Sequence, residues 1–135
     1  VIPTMMRNKV NNQKASYYMI SDQSPKNTKN ACWVNFMGTE TAAFTGSESM
    51  AKKLGFGILY LQIRKVKRGY YSAKLIPLTA TPKEYQDFEI TEKFFQLLEE
   101  QIREQPEYYL WTHNRFKHRN KVPAEYQKEN TSLNS

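Results

Sequence analysis

The stretch from Phe56 to Pro77 constrains the fold most. Phe56-Gly57-Ile58-Leu59-Tyr60-Leu61-Gln62-Ile63 is an aliphatic and aromatic run of the kind that fits a pleated, half-buried surface. Arg64-Lys65-Val66-Lys67-Arg68 and Gly69 follow, and then a second run from Tyr70 to Pro77. The pattern predicts a hairpin of two strands joined by a basic loop that ends at Gly69. Beyond it, Thr81-Pro82-Lys83-Glu84 predicts the start of the main helix. Thr81 is its cap, and Pro82 sits at the first helical position, where its missing N–H costs nothing. Phe88, Phe95 and Ile102 then fall on one helical stripe with Thr91 and Leu98 beside it, which packs into a core, and Pro106 ends the helix.

Upstream the signals are shorter. Residues 4 to 15 suit a short helix. Tyr17-Tyr18-Met19-Ile20 reads as a buried strand stopped by Ser21-Asp22-Gln23-Ser24-Pro25, with a polar loop over residues 24 to 31. Cys32-Trp33-Val34-Asn35-Phe36-Met37 reads as a second strand ended by Gly38, followed by a loop of small residues. Thr45-Gly46-Ser47-Glu48 has the spacing of a capping box. It predicts a helix from Gly46 to about Leu54, with Met50, Ala51 and Leu54 inward and Gly55 as C-terminal cap. With 135 residues this is about one domain. The order is α/β, and it looks incomplete because nothing covers the start of the sheet. Residues 1 to 126 form the predicted domain, and residues 127 to 135 a loose polar tail.

Composition removes several function classes. One cysteine, Cys32, excludes an internal disulfide and a cysteine zinc cluster, and its apolar neighbours predict a buried, inert thiol. No apolar run approaches the roughly 18 to 20 residues that cross a bilayer, and no signal peptide is present. The sequence opens on Val1, so it is expected to be part of a longer protein with any membrane anchor upstream. No Gly-rich phosphate loop occurs, and His113 and His118 are the only histidines, so no metal and no cofactor are expected.

Charge is more informative. The net +7 is uneven: Lys83 to Glu107 holds eight acids and three bases, and the remainder 17 bases and five acids. A basic field of this kind attracts nucleic acid, phosphorylated headgroups or an acidic carrier protein, while its plain alternative is a solvated surface. Asp22, at the end of an apolar run, either orients a partner across a cleft or caps backbone amides. Trp111, His113, Arg115 and Lys117 alternate with their neighbours; an extended chain would put all four on one cationic face suited to an anion.

Together these blocks resemble the bacterial lipid A biosynthesis acyltransferases, the late lauroyl and myristoyl transferases. Asp22-Gln23-Ser24-Pro25-Lys26 resembles the family's Asp-Gln motif, and its Ser24-Pro25 is similar to the Bacteroidetes branch. Phe36-Met37-Gly38 with Thr41-Ala42-Ala43-Phe44-Thr45-Gly46 resembles its Phe-Phe-Gly and Thr-x-x-Gly stretch. The basic turn with Gly69-Tyr70 resembles its next hairpin. Arg103-x-x-Pro106-Glu107-Tyr108-Tyr109-Leu110-Trp111-Thr112-His113-Asn114-Arg115-Phe116-Lys117 resembles its C-terminal signature, Pro-Glu-Gln-Trp then Trp-x-His-x-Arg-x-Lys, and is the most specific block.

The resemblance implies the C-terminal portion of a glycerol-phosphate-acyltransferase-like αβ sandwich, a mixed sheet with flanking helices. It implies transfer of a fatty acyl chain from acyl carrier protein, or from acyl-CoA, to a hydroxyl of a phosphorylated lipid A precursor. The place is the cytoplasmic face of the inner membrane of a Gram-negative cell, in lipopolysaccharide synthesis. The implied partners are that donor, that acceptor and the membrane surface, with no nucleic acid; a basic nucleic-acid-binding or membrane-surface module is the alternative. Asp22 is the implied supporting catalytic carboxylate, and Trp111, His113, Arg115, Lys117 and Arg68 the implied acceptor-binding residues. The family's general base sits in a His-x4-Asp/Glu motif. Five residues after His113 is His118, and five after that is Pro123, so the motif is not in this sequence. The base and a family arginine are therefore expected upstream. The isolated chain is expected to be inactive and, cut through its sheet, to expose apolar surface and self-associate.

Overall fold

A computed structural model describes residues 2–29 and 31–127. Its elements run α1 (Ile2–Val10), β1 (Cys32–Phe36), β2 (Thr39–Ala43), α2 (Gly46–Leu54), β3 (Ile58–Lys67), β4 (Tyr70–Thr79), α3 (Glu89–Glu104) and α4 (Ala124–Gln127). The α/β class holds, and the fold is an incomplete one. The strands form two separate antiparallel hairpins, β1–β2 and β3–β4, each of two strands. The loose tail expected over residues 127–135 lies almost wholly outside the described residues.

The core is the β1–β2 hairpin packed on α3. Cys32, Val34 and Phe36 alternate along β1 and meet Phe95, Leu98 and Ile102 of α3, whose stripe falls on one face as its periodicity requires. The Phe36 and Phe95 rings sit edge to face at 5.5 Å. Within this core burial pushes the Cys32 thiol up to about 12, helped by the charges of Glu92, Glu48 and Glu40, so it stays protonated and unreactive.

β2 is a correction. Thr39–Ala43 was expected to be a loop, because threonine, glutamate and alanine carry little strand signal. Pairing with β1 overrides that: Phe36 faces Thr39 across a two-residue turn in which Met37 and Gly38 have φ of 55° and 77°. Two successive positive φ values match the right-handed twist of the flanking strands. Gly38 adopts this conformation freely, whereas Met37 strains to do so.

Glu99 of α3 holds the strained residue, accepting the Met37 N–H at 2.8 Å. Burial raises its carboxyl, but the Met37 N–H and Arg103 outweigh burial and leave it below the ordinary value of 4.5. A lowered folded-state value means stability that is present above pH 4.5 and lost as pH falls through the folded value. Glu99→Gln is expected to flatten that part of the acid limb, measured as melting temperature against pH; an unchanged limb would show that Glu99 does not hold the turn.

The basic run was expected to be the loop of the second hairpin. Instead it continues the strand: β3 runs to Lys67, and the turn is only Arg68 and Gly69. Extended chain suits Arg64 and Lys65 because the end of α3 and the residue after it supply their partners, while the Lys67 ammonium lies over the Tyr70 ring at 4.4 Å. Arg64 pairs with Glu104 at 2.5 Å, and the Gln105 side-chain amide both donates to the Lys65 carbonyl and accepts from its N–H. Gln101 donates to the Ile63 carbonyl. These amides stand in for a neighbouring strand along the free edge of β3 and partly cover it. One face of this hairpin meets α3 through Tyr60, whose hydroxyl donates to Gln101 Oε1 at 2.6 Å. The other face is apolar and bare, with Leu59, Ile63 and Leu75 exposed by 57, 50 and 59%.

The main helix begins later than expected. Thr81 and Pro82 start a short 3₁₀ turn over Pro82–Glu84, and α3 opens only at Glu89 after Phe88 at φ 73°. Its N-terminus is capped from another element. Glu48 of α2, buried, accepts the N–H of Phe88 at 2.9 Å, the N–H of Thr91 at 2.8 Å and the Thr91 hydroxyl at 2.6 Å. Lys52 pairs with the same carboxylate at 2.8 Å. This overturns the capping box: Thr45 makes no side-chain cap to α2, and the Glu48 carboxylate that the box would turn back onto Thr45 is spent on α3. The bounds of α2 and its Gly55 cap at φ 67° stand as predicted.

Candidate functional site

The site is built where two sequence-distant blocks meet, the loop of residues 21–25 and the turns of residues 106–118. Neither has the conformation expected of it. Tyr17 to Ile20 is not a buried strand. It lacks strand pairing, and Tyr18 and Ile20 are 82% and 71% exposed. Without a partner strand among the described residues, only Tyr17 finds a place to pack, stacked on Phe56 at 5.9 Å.

Asp22 therefore sits on a bend, half-buried, and among the described residues it has neither a hydrogen bond nor an ion pair. The backbone-capping role open to it at the sequence level is not taken up. Its charge reaches Tyr60 of β3, whose hydroxyl is pushed up to about 12 by burial and then by Asp22.

The C-terminal block is a series of turns, not an extended run. Its backbone closes on itself, with the Arg115 N–H bonded to the His113 carbonyl at 2.8 Å and the Arg119 N–H to the Phe116 carbonyl at 3.1 Å. The single cationic face expected of Trp111, His113, Arg115 and Lys117 is not formed. Trp111 and Lys117 are exposed, His113 is half-buried, and Arg115 is only 3% exposed.

The reason lies in Arg115. Its guanidinium carbon sits 5.2 Å from the centre of the Phe95 ring and 5.6 Å from that of Phe36, a cation–π arrangement with both. One nitrogen donates to the Tyr109 hydroxyl at 3.4 Å, while Nε and Nη1 are buried with no hydrogen-bond partner among the described residues. Aromatic faces rather than a carboxylate compensate the charge. Phe116 adds a stacked contact with Phe36 at 6.3 Å. A cavity of about 290 Å³ opens between Phe36, Tyr109 and residues 111–116. Arg68, the remaining expected contact, is exposed in the β3–β4 turn.

Hydrogen bonds from Ser24 and Pro25 to the C-terminal block join the two. The Ser24 N–H donates to His113 Nε2 at 3.1 Å, and the Ser24 hydroxyl donates to the Arg115 carbonyl at 2.7 Å. His118 Nε2 meets the Pro25 carbonyl at 3.0 Å. Donor chemistry fixes both tautomers: an amide only donates, so His113 Nε2 carries a lone pair, and a carbonyl only accepts, so His118 Nε2 carries the proton. Sequence reasoning missed Ser24 and His118 as parts of this site. No local pattern links residues about ninety positions apart.

The family model described as bacterial lipid A biosynthesis acyltransferase matches residues 4–118, a span that includes both blocks of the site. No curated protein matches the chain. Since the match covers most of the chain, from α1 to the last residue of the C-terminal block, the chain belongs to the bacterial lipid A biosynthesis acyltransferase family.

Proposed function

We propose that this chain is the acceptor-side part of an enzyme that moves a fatty acyl chain from acyl carrier protein, or from acyl-CoA, to a hydroxyl of a phosphorylated lipid A precursor. The setting proposed is the cytoplasmic face of the inner membrane of a Gram-negative cell, and Ser24-Pro25 suggests the Bacteroidetes branch. The observation that carries the reading is the family match across both the Asp22 loop and the C-terminal block, which lie against each other in the fold. In the reaction the acceptor oxygen attacks the thioester carbonyl, a C–O bond forms, the C–S bond breaks and the thiol leaves. A base must take the hydroxyl proton, a role worth roughly 10²- to 10⁴-fold.

Neither histidine here suits that role. The His113 Nε2 lone pair is engaged by Ser24, and His118 is buried with its Nε2 proton directed at Pro25. The base then comes from the family's His-x4-Asp/Glu motif, in a part of the enzyme that this sequence does not include. The test is transfer of labelled acyl chain from acyl carrier protein to a lipid A precursor. The intact enzyme is expected to be active and the isolated chain inert; transfer by the isolated chain would refute the division of labour. No described helix is long and apolar enough to cross a membrane. The bare apolar face of β3–β4 is the surface through which the isolated chain would self-associate.

Acceptor binding divides by exposure. Lys117, with Trp111 and Arg68, is free to meet phosphate and sugar, whereas Arg115 holds the block on the core from beneath. Lys117→Ala in the intact enzyme is expected to raise the acceptor KM roughly tenfold or more, the worth of a charge-assisted contact, and to matter little for a dephosphorylated acceptor. Arg115→Ala is expected to lower the melting temperature and to hurt both acceptors alike. A selective loss on the phosphorylated acceptor in Arg115→Ala would return that residue to the headgroup.

A further inference from the structure

We propose that His113 is a positioning residue of this enzyme, acting through Ser24 on the loop that carries Asp22. The inference rests on the reading of Asp22 as a working carboxylate. No backbone ladder fixes the loop: residues 13–20 form neither helix nor strand, and α1 ends at Val10. Side chains tie it on both sides of Asp22. Upstream, Tyr17 stacks on Phe56 at 5.9 Å and its hydroxyl accepts from the Asn8 side-chain amide at 2.7 Å. Ser21 bonds the Ser47 hydroxyl at 2.8 Å, at the start of α2. Beyond Asp22, Ser24 is held at both its N–H and its hydroxyl by the C-terminal block, and Pro25 at its carbonyl by His118.

The block can act as a clasp because it is itself anchored. Arg115 lies over Phe36 and Phe95, which belong to β1 and α3 of the core. A continuous line runs from the core through Arg115 and His113 to Ser24, two residues from Asp22. Reacting groups displaced by about 1 Å lose on the order of 10²-fold in rate, so a loop without a ladder of its own needs such a fixture. The role assigns a specific chemistry to His113. It accepts one backbone N–H, touches no reacting atom, and is replaceable by another acceptor of similar reach.

Three measurements on the intact enzyme test this. Imidazole nitrogen NMR is expected to find opposite tautomers, His113 bare at Nε2 and His118 protonated there; both protonated at Nε2 overturns the clasp. Amide exchange of Ser24 is expected to quicken about 3- to 10-fold in His113→Ala, the worth of one hydrogen bond, and to recover in His113→Gln, whose side-chain oxygen can accept. Unchanged exchange in His113→Ala overturns it. In kinetics His113→Ala is expected to lower kcat by on the order of 10-fold or more at a steady acceptor KM, to be rescued by His113→Gln, and to add little on top of Asp22→Asn. A change confined to KM, or full additivity with Asp22→Asn, overturns the positioning role and makes His113 an acceptor contact. Full activity of Asp22→Asn alone overturns the reading of Asp22 and the positioning role with it, while exchange and tautomers still decide whether the clasp exists.

Discussion

Asp22→Asn is expected to lower turnover of the intact enzyme by roughly 10²- to 10⁴-fold, the range for a group engaged in proton transfer. Its effect on folding is expected to stay within about 0.5 kcal/mol, as for a substitution away from any packed or bonded feature. The contrast follows from what Asp22 does not do. It is half-buried on a bend, and it binds no backbone amide and no cation among the described residues, so the fold loses little with its charge. A carboxylate left unpaired among the described residues, on a loop held by the C-terminal block, is available to a substrate or to a base from elsewhere in the enzyme. The substitution keeps shape and removes charge, so activity and melting temperature separate the two roles cleanly. Wild-type activity at unchanged stability would end the catalytic reading. A parallel fall in both would make Asp22 a structural residue.

Glu48→Ala is expected to destabilise the chain by about 3–5 kcal/mol, the cost of removing one partner from a buried charge pair. That is a large share of the roughly 5–15 kcal/mol that holds a domain together. Glu48 is 4% exposed, and its two oxygens satisfy the N–H groups of Phe88 and Thr91, the Thr91 hydroxyl and Lys52. Truncation would leave the first turn of α3 with free donors inside the protein, where water does not replace the lost acceptor. The negative charge also lies at the positive end of the helix dipole. Lys52 reports the pairing. Burial pulls its ammonium down, yet Glu48 and Asp87 outweigh burial and leave it above its ordinary value of 10.5. A raised value means stability present below pH 10.5 and lost as pH climbs through the folded-state value. Urea unfolding of Glu48→Ala and Glu48→Gln measures the effect, with Gln expected to retain part of the cap through its remaining oxygen. A loss under about 1 kcal/mol in Glu48→Ala would mean that α2 and α3 are held together by apolar packing alone.

Much of the fold was legible locally. The β3–β4 hairpin, the stripe of α3 and the bounds of α2 each rest on signals within a few residues: apolar runs around a glycine turn, a 3.6-residue period, a glycine in the left-handed conformation. The family blocks were legible for the same reason, since each is a short string whose residue types and order can be read directly. The errors share one cause. Thr39–Ala43 became a strand because Cys32–Phe36 was there to pair with it, and Tyr17–Ile20 failed to become one because nothing was. Alternation in Trp111 to Lys117 suggested an extended face, yet alternation signals a strand only when a ladder satisfies the backbone. Without one, the segment coils and Arg115 turns inward onto two phenylalanine rings.

The sequence by itself determined which segments could be helix or strand, where the charge lay and which family blocks were present, because those properties belong to residues and their near neighbours. Only the tertiary structure decided that Glu48 would cap α3 instead of α2, that Arg115 would be buried while Lys117 stayed in water, and that His113 and Ser24 would meet across 89 positions. Each of those outcomes is a competition for partners among groups distant in sequence. A buried donor or acceptor takes whichever partner the packed chain brings within hydrogen-bond reach.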